Sequence, residues 1–186
     1  MKNKRHNSYI KTIILASVFT AIITVMTFFI KIPAHNGYIH IGDAVIYIAS
    51  CLLPSPFALV SAALGGMLAD GLGGFIIYII PTAIIKAMIS SVFSSKDAKI
   101  LTVRNVIALI PATVITISGY YIAEAILVSI SVSDSFSHFY QYLFTAAPWF
   151  SALYSIPGNI IQAVASAVMF ILLAIALDKI KIKDKI

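Results

Sequence analysis

Apolar runs approaching the length of a bilayer span recur from one end of this chain to the other, and no other feature restricts its fold as severely. A membrane-crossing helix needs ~20 predominantly apolar residues. Hydrophobic residues make up 60% of the 186 residues and charged residues 11%, against roughly 25% charged in a soluble domain. No water-soluble core could enclose that much apolar surface, so lipid must serve as solvent. A chain this short reads as one unit, residues 1–186 forming a single integral membrane domain without a separate soluble module.

The placement of charge matters more than its formal total of +6. Eleven of the 13 basic residues lie in three groups: Lys2, Lys4, Arg5 and Lys11; Lys96, Lys99 and Arg104; and Lys179, Lys181, Lys183 and Lys185. Such clustering between apolar runs is a topology signal of the positive-inside kind, not a nucleic-acid-binding surface. A basic start before an apolar run also suits a signal peptide, but no small-residue cleavage site follows Thr27 and the run is too long for one. Cys51 stands alone in an apolar stretch, which excludes an intrachain disulfide and reads as a small buried hydrophobe.

Charges and turn residues divide the chain into six expected helices, at about 10–30, 42–53, 57–71, 75–93, 103–130 and 154–177. Pro54-Ser55-Pro56 forces a turn between the second and third, because proline lacks the N–H that a continuing helix needs. The expected fold is therefore an all-α membrane protein with six transmembrane helices and both termini cytoplasmic, which gathers the three basic groups on the inner side. The second helix leaves an ambiguity. The ten residues from Ala44 to Leu53 cover about half of a ~30 Å core at ~1.5 Å per residue, so helices two and three also fit a re-entrant hairpin.

Small residues repeat at four-residue spacing: Ala16 with Thr20, Ser17 with Ala21, Ser61 with Gly65, Ala62 with Gly66 and Ala163 with Ala167. Such pairs let helix backbones approach closely where lipid supplies no hydrophobic drive. Those in helices three and six suit internal packing. The two adjacent pairs of helix one, an outer helix, suit either internal packing or docking to a partner subunit.

An ionisable side chain within a span costs at least ~2.5 kcal/mol on insertion scales, which makes each one a functional candidate. Here these are Asp43, Asp70, Lys86 and Glu124. Asp43 and Asp70 fall near helix ends and read equally as solvated caps. Lys86 and Glu124 lie at similar depths, as an ion pair or as groups facing a polar cavity. Tyr78, Thr82 and Lys86 share a face at i, i+4, i+8; Tyr120 and Glu124 pair at i, i+4; Asn159 and Gln162 share a face. Three successive helices thus carry polar stripes, and convergence of the stripes would line a small-molecule site. A polar packing seam would give the same pattern.

Two outer segments are placed to close such a pocket. The first, from Pro33 to Asp43, includes His35, Asn36, Tyr38 and His40 and reads as a loop. The second, 131–150, carries Phe136, His138, Phe139, Tyr140, Tyr142 and Trp149 and reads equally as an interfacial aromatic belt. Catalysis has little support, since HExxH, GxSxG and phosphate-loop motifs are absent. His35 and His40 are weak grounds for a metal site, and none is expected.

Several segments together resemble one family, the substrate-binding S component of energy-coupling factor (ECF) vitamin transporters. They are Gly37-Tyr-Ile-His-Ile-Gly-Asp-Ala44, Ala63-Leu-Gly-Gly-Met-Leu-Ala-Asp-Gly-Leu-Gly-Gly74, Ile80-Pro-Thr-Ala-Ile-Ile-Lys86, Gly119-Tyr-Tyr-Ile-Ala-Glu124 and Pro157-Gly-Asn-Ile-Ile-Gln162. The resemblance implies a non-enzymatic six-helix subunit in the cell membrane that captures a vitamin or precursor from outside. It implies docking on a membrane T component driven by two cytoplasmic ATPases, so that ATP is used by partners and this chain needs no cofactor. The expected substrate-binding residues are Tyr38, His40, Asp43, Tyr78, Thr82, Lys86, Tyr120, Glu124, Asn159 and Gln162. The family's alanine-based docking pattern on helix one is only approximated by Ala16, Ser17, Thr20 and Ala21. Hydroxymethylpyrimidine, pyridoxine, riboflavin and pantothenate, the last through Lys86, are the substrate classes considered. The rivals are a self-sufficient proton-coupled carrier using Glu124 or Asp43, and an intramembrane enzyme built around Asp43, Asp70 and Glu124.

Overall fold

The computed structural model describes residues 2–34 and 37–186, with side chains described for 9–33 and 38–186. His35 and Asn36 of the first outer segment lie outside the described residues, as do the side chains of Lys2, Lys4 and Arg5. Helix α1, Lys2–Phe29, contains neither proline nor glycine and runs uninterrupted. Strands β1, Lys31–Ala34, and β2, Gly37–His40, follow and pair antiparallel, with Lys31 opposite His40 and Ile32 opposite Ile39. The segment expected as a loop is therefore a hairpin. Pro33 is tolerated because each strand of a two-stranded ribbon is an edge.

Helix α2, Gly42–Leu52, ends where Leu53 turns extended before Pro54. Its 11 residues span only about 17 Å at ~1.5 Å each. Every residue from Gly42 to Cys51 is buried, so α2 forms the centre of the protein. Tyr47 stacks on Phe93 with centroids 4.8 Å apart and meets Phe170 edge-on at 5.8 Å. Ile23, Ile85, Ile89, Ala112 and Ala174 complete this core. Helix α3, Ser55–Gly73, starts with Pro56 in its first turn and stops at Gly74, whose left-handed backbone (φ 81°) glycine adopts without steric cost. A tight turn at Ile76–Tyr78 leads into α4, Ile79–Ser91.

The expected fifth helix is divided into α5, Val103–Ile107, and α6, Leu109–Ser131. Pro111 explains the break, since it has no N–H to give the carbonyl of Ile107. The outer segment expected as a loop contains α7, Phe136–Leu143, and α8, Ala147–Ala152. A short turn at Leu153–Ser155 then opens α9, Ile156–Lys179, beside Pro157. Four stretches are long and apolar enough to cross a membrane: Tyr9–Phe29, Ser55–Gly73, Val103–Ser131 and Ala147–Lys179. Gly42–Leu52 and Ile76–Ser91 are apolar but shorter. Large apolar side chains such as Ile14, Val25, Leu68, Val114, Val164 and Leu172 stand exposed on these helices, as a lipid-facing surface requires.

One end of the molecule is tied down by polar contacts. Asp178 accepts the N–H groups of Ile100 and Leu101 at 2.8 and 2.9 Å. Lys183 donates to the carbonyls of Ser95 and Asp97, and buried Asn105 bonds Ser94 and Ile100. The middle basic loop and the basic C-terminal segment therefore occupy the same end, and the β-hairpin lies at the other.

Helices α1 and α3 pack closely through small residues. Ser61 donates to the carbonyl of Ala16 and Thr24 to that of Gly65. A Cβ on Gly65 would lie 2.6 Å from the Ile23 side chain and 3.2 Å from the Thr20 carbonyl. The Ala16–Thr20 side of the expected docking set thus faces α3, while Ser17 and Ala21 remain exposed. Gly65→Val should lower the detergent-solubilised melting point, at a cost of about 1–3 kcal/mol from overpacking, and Ser17→Val should leave it nearly unchanged. Impermeant thiol labelling checks the crossing number, because Ser55 is exposed and the native Cys51 is buried. Six crossings predict that Ser55→Cys stays unlabelled from outside in intact cells, and outside labelling would identify a re-entrant α2–α3 pair.

Candidate ligand-binding cavity

At the hairpin end lies a cavity of about 270 Å³, walled by both strands and by the facing ends of five helices. Pro33, Tyr38, Ile39 and His40 come from the hairpin, Thr27 from α1 and Asp70 from α3. Phe75, Tyr78 and Thr82 come from the turn before α4 and from α4 itself. Tyr120 and Glu124 come from α6, Tyr154 and Ser155 from the turn before α9, and Gly158, Asn159, Ile161 and Gln162 from the start of α9. The mixture of aromatic faces and a few convergent polar groups is the makeup of a small-molecule site.

Eight of the ten sequence-predicted binding residues line this one cavity: Tyr38, His40, Tyr78, Thr82, Tyr120, Glu124, Asn159 and Gln162. The polar stripes of the last three spans converge as expected. Asp43 and Lys86, also expected at the site, do not line the cavity. The Lys86 ammonium lies 2.6 Å from Asp43 Oδ1, with side-chain exposures of 1% and 0%. An unpaired charge at that depth would carry a desolvation cost of several kcal/mol, so the two neutralise each other beneath the cavity floor. The pairing of Lys86 with Glu124 is likewise not found. Glu124 instead accepts the Tyr78 hydroxyl at 2.5 Å, while the Lys86 ammonium sits 5.2 Å from the centre of the Tyr120 ring. Asp43 is no solvated cap either, because α2 begins inside the protein.

Gln162 links the buried pair to the hairpin. Its Nε2 donates to Asp43 Oδ2 at 3.0 Å, and its Oε1 accepts the His40 backbone N–H at 3.4 Å. His40 Nδ1 accepts the Gly42 N–H at 3.1 Å, which assigns the ring proton to Nε2. Burial pushes the His40 pKa down to about 3, with the Lys86 charge acting in the same direction and Asp43 against it. The imidazole is therefore neutral. Tyr38 donates to Asp70 Oδ1 at 2.7 Å, and burial followed by that bond pushes its phenol upward, so it remains a donor.

Sequence reasoning missed several lining residues. Asp70 reads as a cap beside its glycines, yet it is 5% exposed and forms part of the wall. Tyr154, Gly158 and Gln162 repeat at i, i+4, i+8, and Ser155 with Asn159 at i, i+4, so extending the α9 stripe toward its N-terminus would have found them. Thr27 and Phe75 carry no such signal. None of the aromatic residues in 131–150 lines the cavity; Trp149 bonds the Leu143 carbonyl and packs near Tyr121. Among the described residues no cluster of three metal-ligating side chains occurs.

Removing one member of the buried pair strands the other. Lys86→Met or Asp43→Asn alone should destabilise the protein by about 3–5 kcal/mol. The Asp43→Asn, Lys86→Met double variant should recover much of that loss, measured as a double-mutant cycle of melting points.

A family model for the ECF-type riboflavin transporter, S component, matches residues 7–179. Comparison with curated proteins and with solved structures gives no match.

Proposed function

Because the chain belongs to the ECF-type riboflavin transporter S-component family, we propose that it is the high-affinity capture subunit of an ATP-driven vitamin importer. The family is one of transporter subunits rather than of enzymes, and the apolar helices place the chain in the membrane. The observation that supports capture most directly is the convergence of Tyr78 and Thr82, Tyr120 and Glu124, and Asn159 and Gln162 on one cavity beneath the hairpin. Six crossings would put the basic end in the cytoplasm and the cavity on the outer side, in keeping with positive-inside topology. The ligand would enter from outside and be covered by Tyr38, Ile39 and His40. Riboflavin, pyridoxine, hydroxymethylpyrimidine and pantothenate are the vitamin classes at issue.

Release inward would need partners: a membrane T component and two ATPases, which use the ATP. Ser17 and Ala21, exposed on α1 with Ile14 and Val18, offer the docking surface. The enclosed Asp43–Lys86 pair weakens the proton-carrier alternative as far as Asp43 is concerned, since that carboxylate is committed to an ammonium.

Reconstituted vesicles separate the two readings. Protein alone should bind its vitamin without accumulating it, and accumulation should appear on adding the T component, the ATPases and ATP. Accumulation by the protein alone under a proton gradient would overturn the S-component reading. Gln162→Ala, which removes both the Asp43 contact and the hairpin contact, should weaken binding by about tenfold or more.

A further inference from the structure

We propose that α7 is a membrane-surface helix whose aromatic face is seated in the interfacial zone of the lipid leaflet at the hairpin end, whichever molecule the cavity holds. The flanking stretches long and apolar enough to cross a membrane are Val103–Ser131 and Ala147–Lys179. Residues 132–146 therefore lie where the chain leaves the bilayer and re-enters it. Tyr154 and Ser155, near the start of the second stretch, line the cavity, which puts α7 at the hairpin end. Its eight residues are too few for a helix to hold its shape alone in water, where about 12–15 are needed. None of them is fully buried in the protein, so packing within the chain supplies little of what is missing.

The spacing of the aromatic residues supplies the rest. Phe136, Tyr140 and Phe144, the last closing the helix, follow at i, i+4, i+8 on one face and stand 81%, 57% and 71% exposed. Tyr140 meets Phe144 with ring centres 4.8 Å apart and Phe136 meets Phe139 at 6.2 Å, so the rings form paired aromatic surfaces along that face. Ser137, His138 and Gln141 occupy the other face, and all three are exposed. Ser135 accepts the His138 N–H at 3.2 Å and Asp134 pairs with the His138 ring at 3.0 Å, which keeps the polar contacts away from the exposed rings. Trp149 donates to the Leu143 carbonyl at 2.8 Å and packs near Tyr121, tethering α7 to α8 and α6 while the aromatic face stays uncovered. Ile130 and Val132 before α7, and Phe150 and Leu153 after it, are exposed as well, so the apolar surface continues from α7 into the lipid-facing spans. Aromatic rings with a polar face behind them settle at the headgroup boundary, where one side is wet and the other is hydrocarbon. Lysine and arginine are absent from 131–150, so the rings hold the helix there without attraction to anionic headgroups.

The test places nitroxide labels on single cysteines of the full-length protein in vesicles of phosphatidylcholine alone, with Cys51→Ala removing the native thiol. Spin relaxation then compares collisions with oxygen, which concentrates in lipid, and with a water-soluble nickel chelate. Phe136→Cys, Tyr140→Cys and Phe144→Cys should show oxygen-to-nickel collision ratios several-fold above those of Ser137→Cys and Gln141→Cys. Adding Phe136→Ser and Phe144→Ser to Tyr140→Cys should lower its ratio to that of the polar face, because the anchoring rings are gone. Equal, low ratios on both faces put the aromatic side in water and overturn the proposal. Few collisions with either reagent at 136, 140 and 144 mean that protein covers the face, which overturns it equally. If one variant fails to insert, the remaining positions carry the test, since the readout is the alternation around the helix.

Discussion

A buried ammonium–carboxylate contact, Lys86 with Asp43, underlies the arrangement of the rest of this protein. Neither charge touches water, and each alone would be strongly unfavourable, so α2 and α4 must stay in the register that joins them. Gln162 extends the constraint to α9, and through the His40 backbone to the hairpin. The hairpin with α2, and the distant α4 and α9, are thereby fixed by one small polar group. The apolar packing of Tyr47, Phe93 and Phe170 lies on the side of this group away from the hairpin, and the cavity on the hairpin side.

That division gives the cavity its chemical character. With Lys86 neutralised, what remains are two carboxyl groups, neutral hydrogen-bonding side chains and aromatic rings. The small residues act at a different level. Gly65 and Ser61 let α1 and α3 approach, which closes the molecule around α2 and leaves Ser17 and Ala21 on its surface.

Much of this was legible in the sequence, for identifiable reasons. Apolar runs bounded by charges and prolines pointed to the long helices, with α2 expected at 42–53 against an observed Gly42–Leu52, but α1 begins eight residues before its expected start at 10, and α7 and α8 were not foreseen. Helical spacing placed Tyr78 with Thr82, Tyr120 with Glu124 and Asn159 with Gln162 on common faces, and those faces do meet. What spacing cannot report is which group on another segment a side chain meets. Lys86 and Asp43 are 43 positions apart and Tyr38 and Asp70 are 32 apart, and no periodicity links either pair. The hairpin was missed because strands of four residues carry too short an alternation to stand out from a loop. The break before α6 was encoded by Pro111, whose effect falls four residues earlier, on Ile107.

The enclosure of α2 from Gly42 to Cys51 has a bearing on how the protein responds to its surroundings. Acyl chains meet the outer helices, which must tilt or flex when bilayer thickness changes. The central helix has no face on which lipid can act, so such adjustments reach Asp43 only through neighbouring side chains. Its 11 residues also have no hydrophobic length to match against the membrane. The polar floor is thus mechanically insulated from the lipid phase, like an axle inside a sleeve that can lean without bending it.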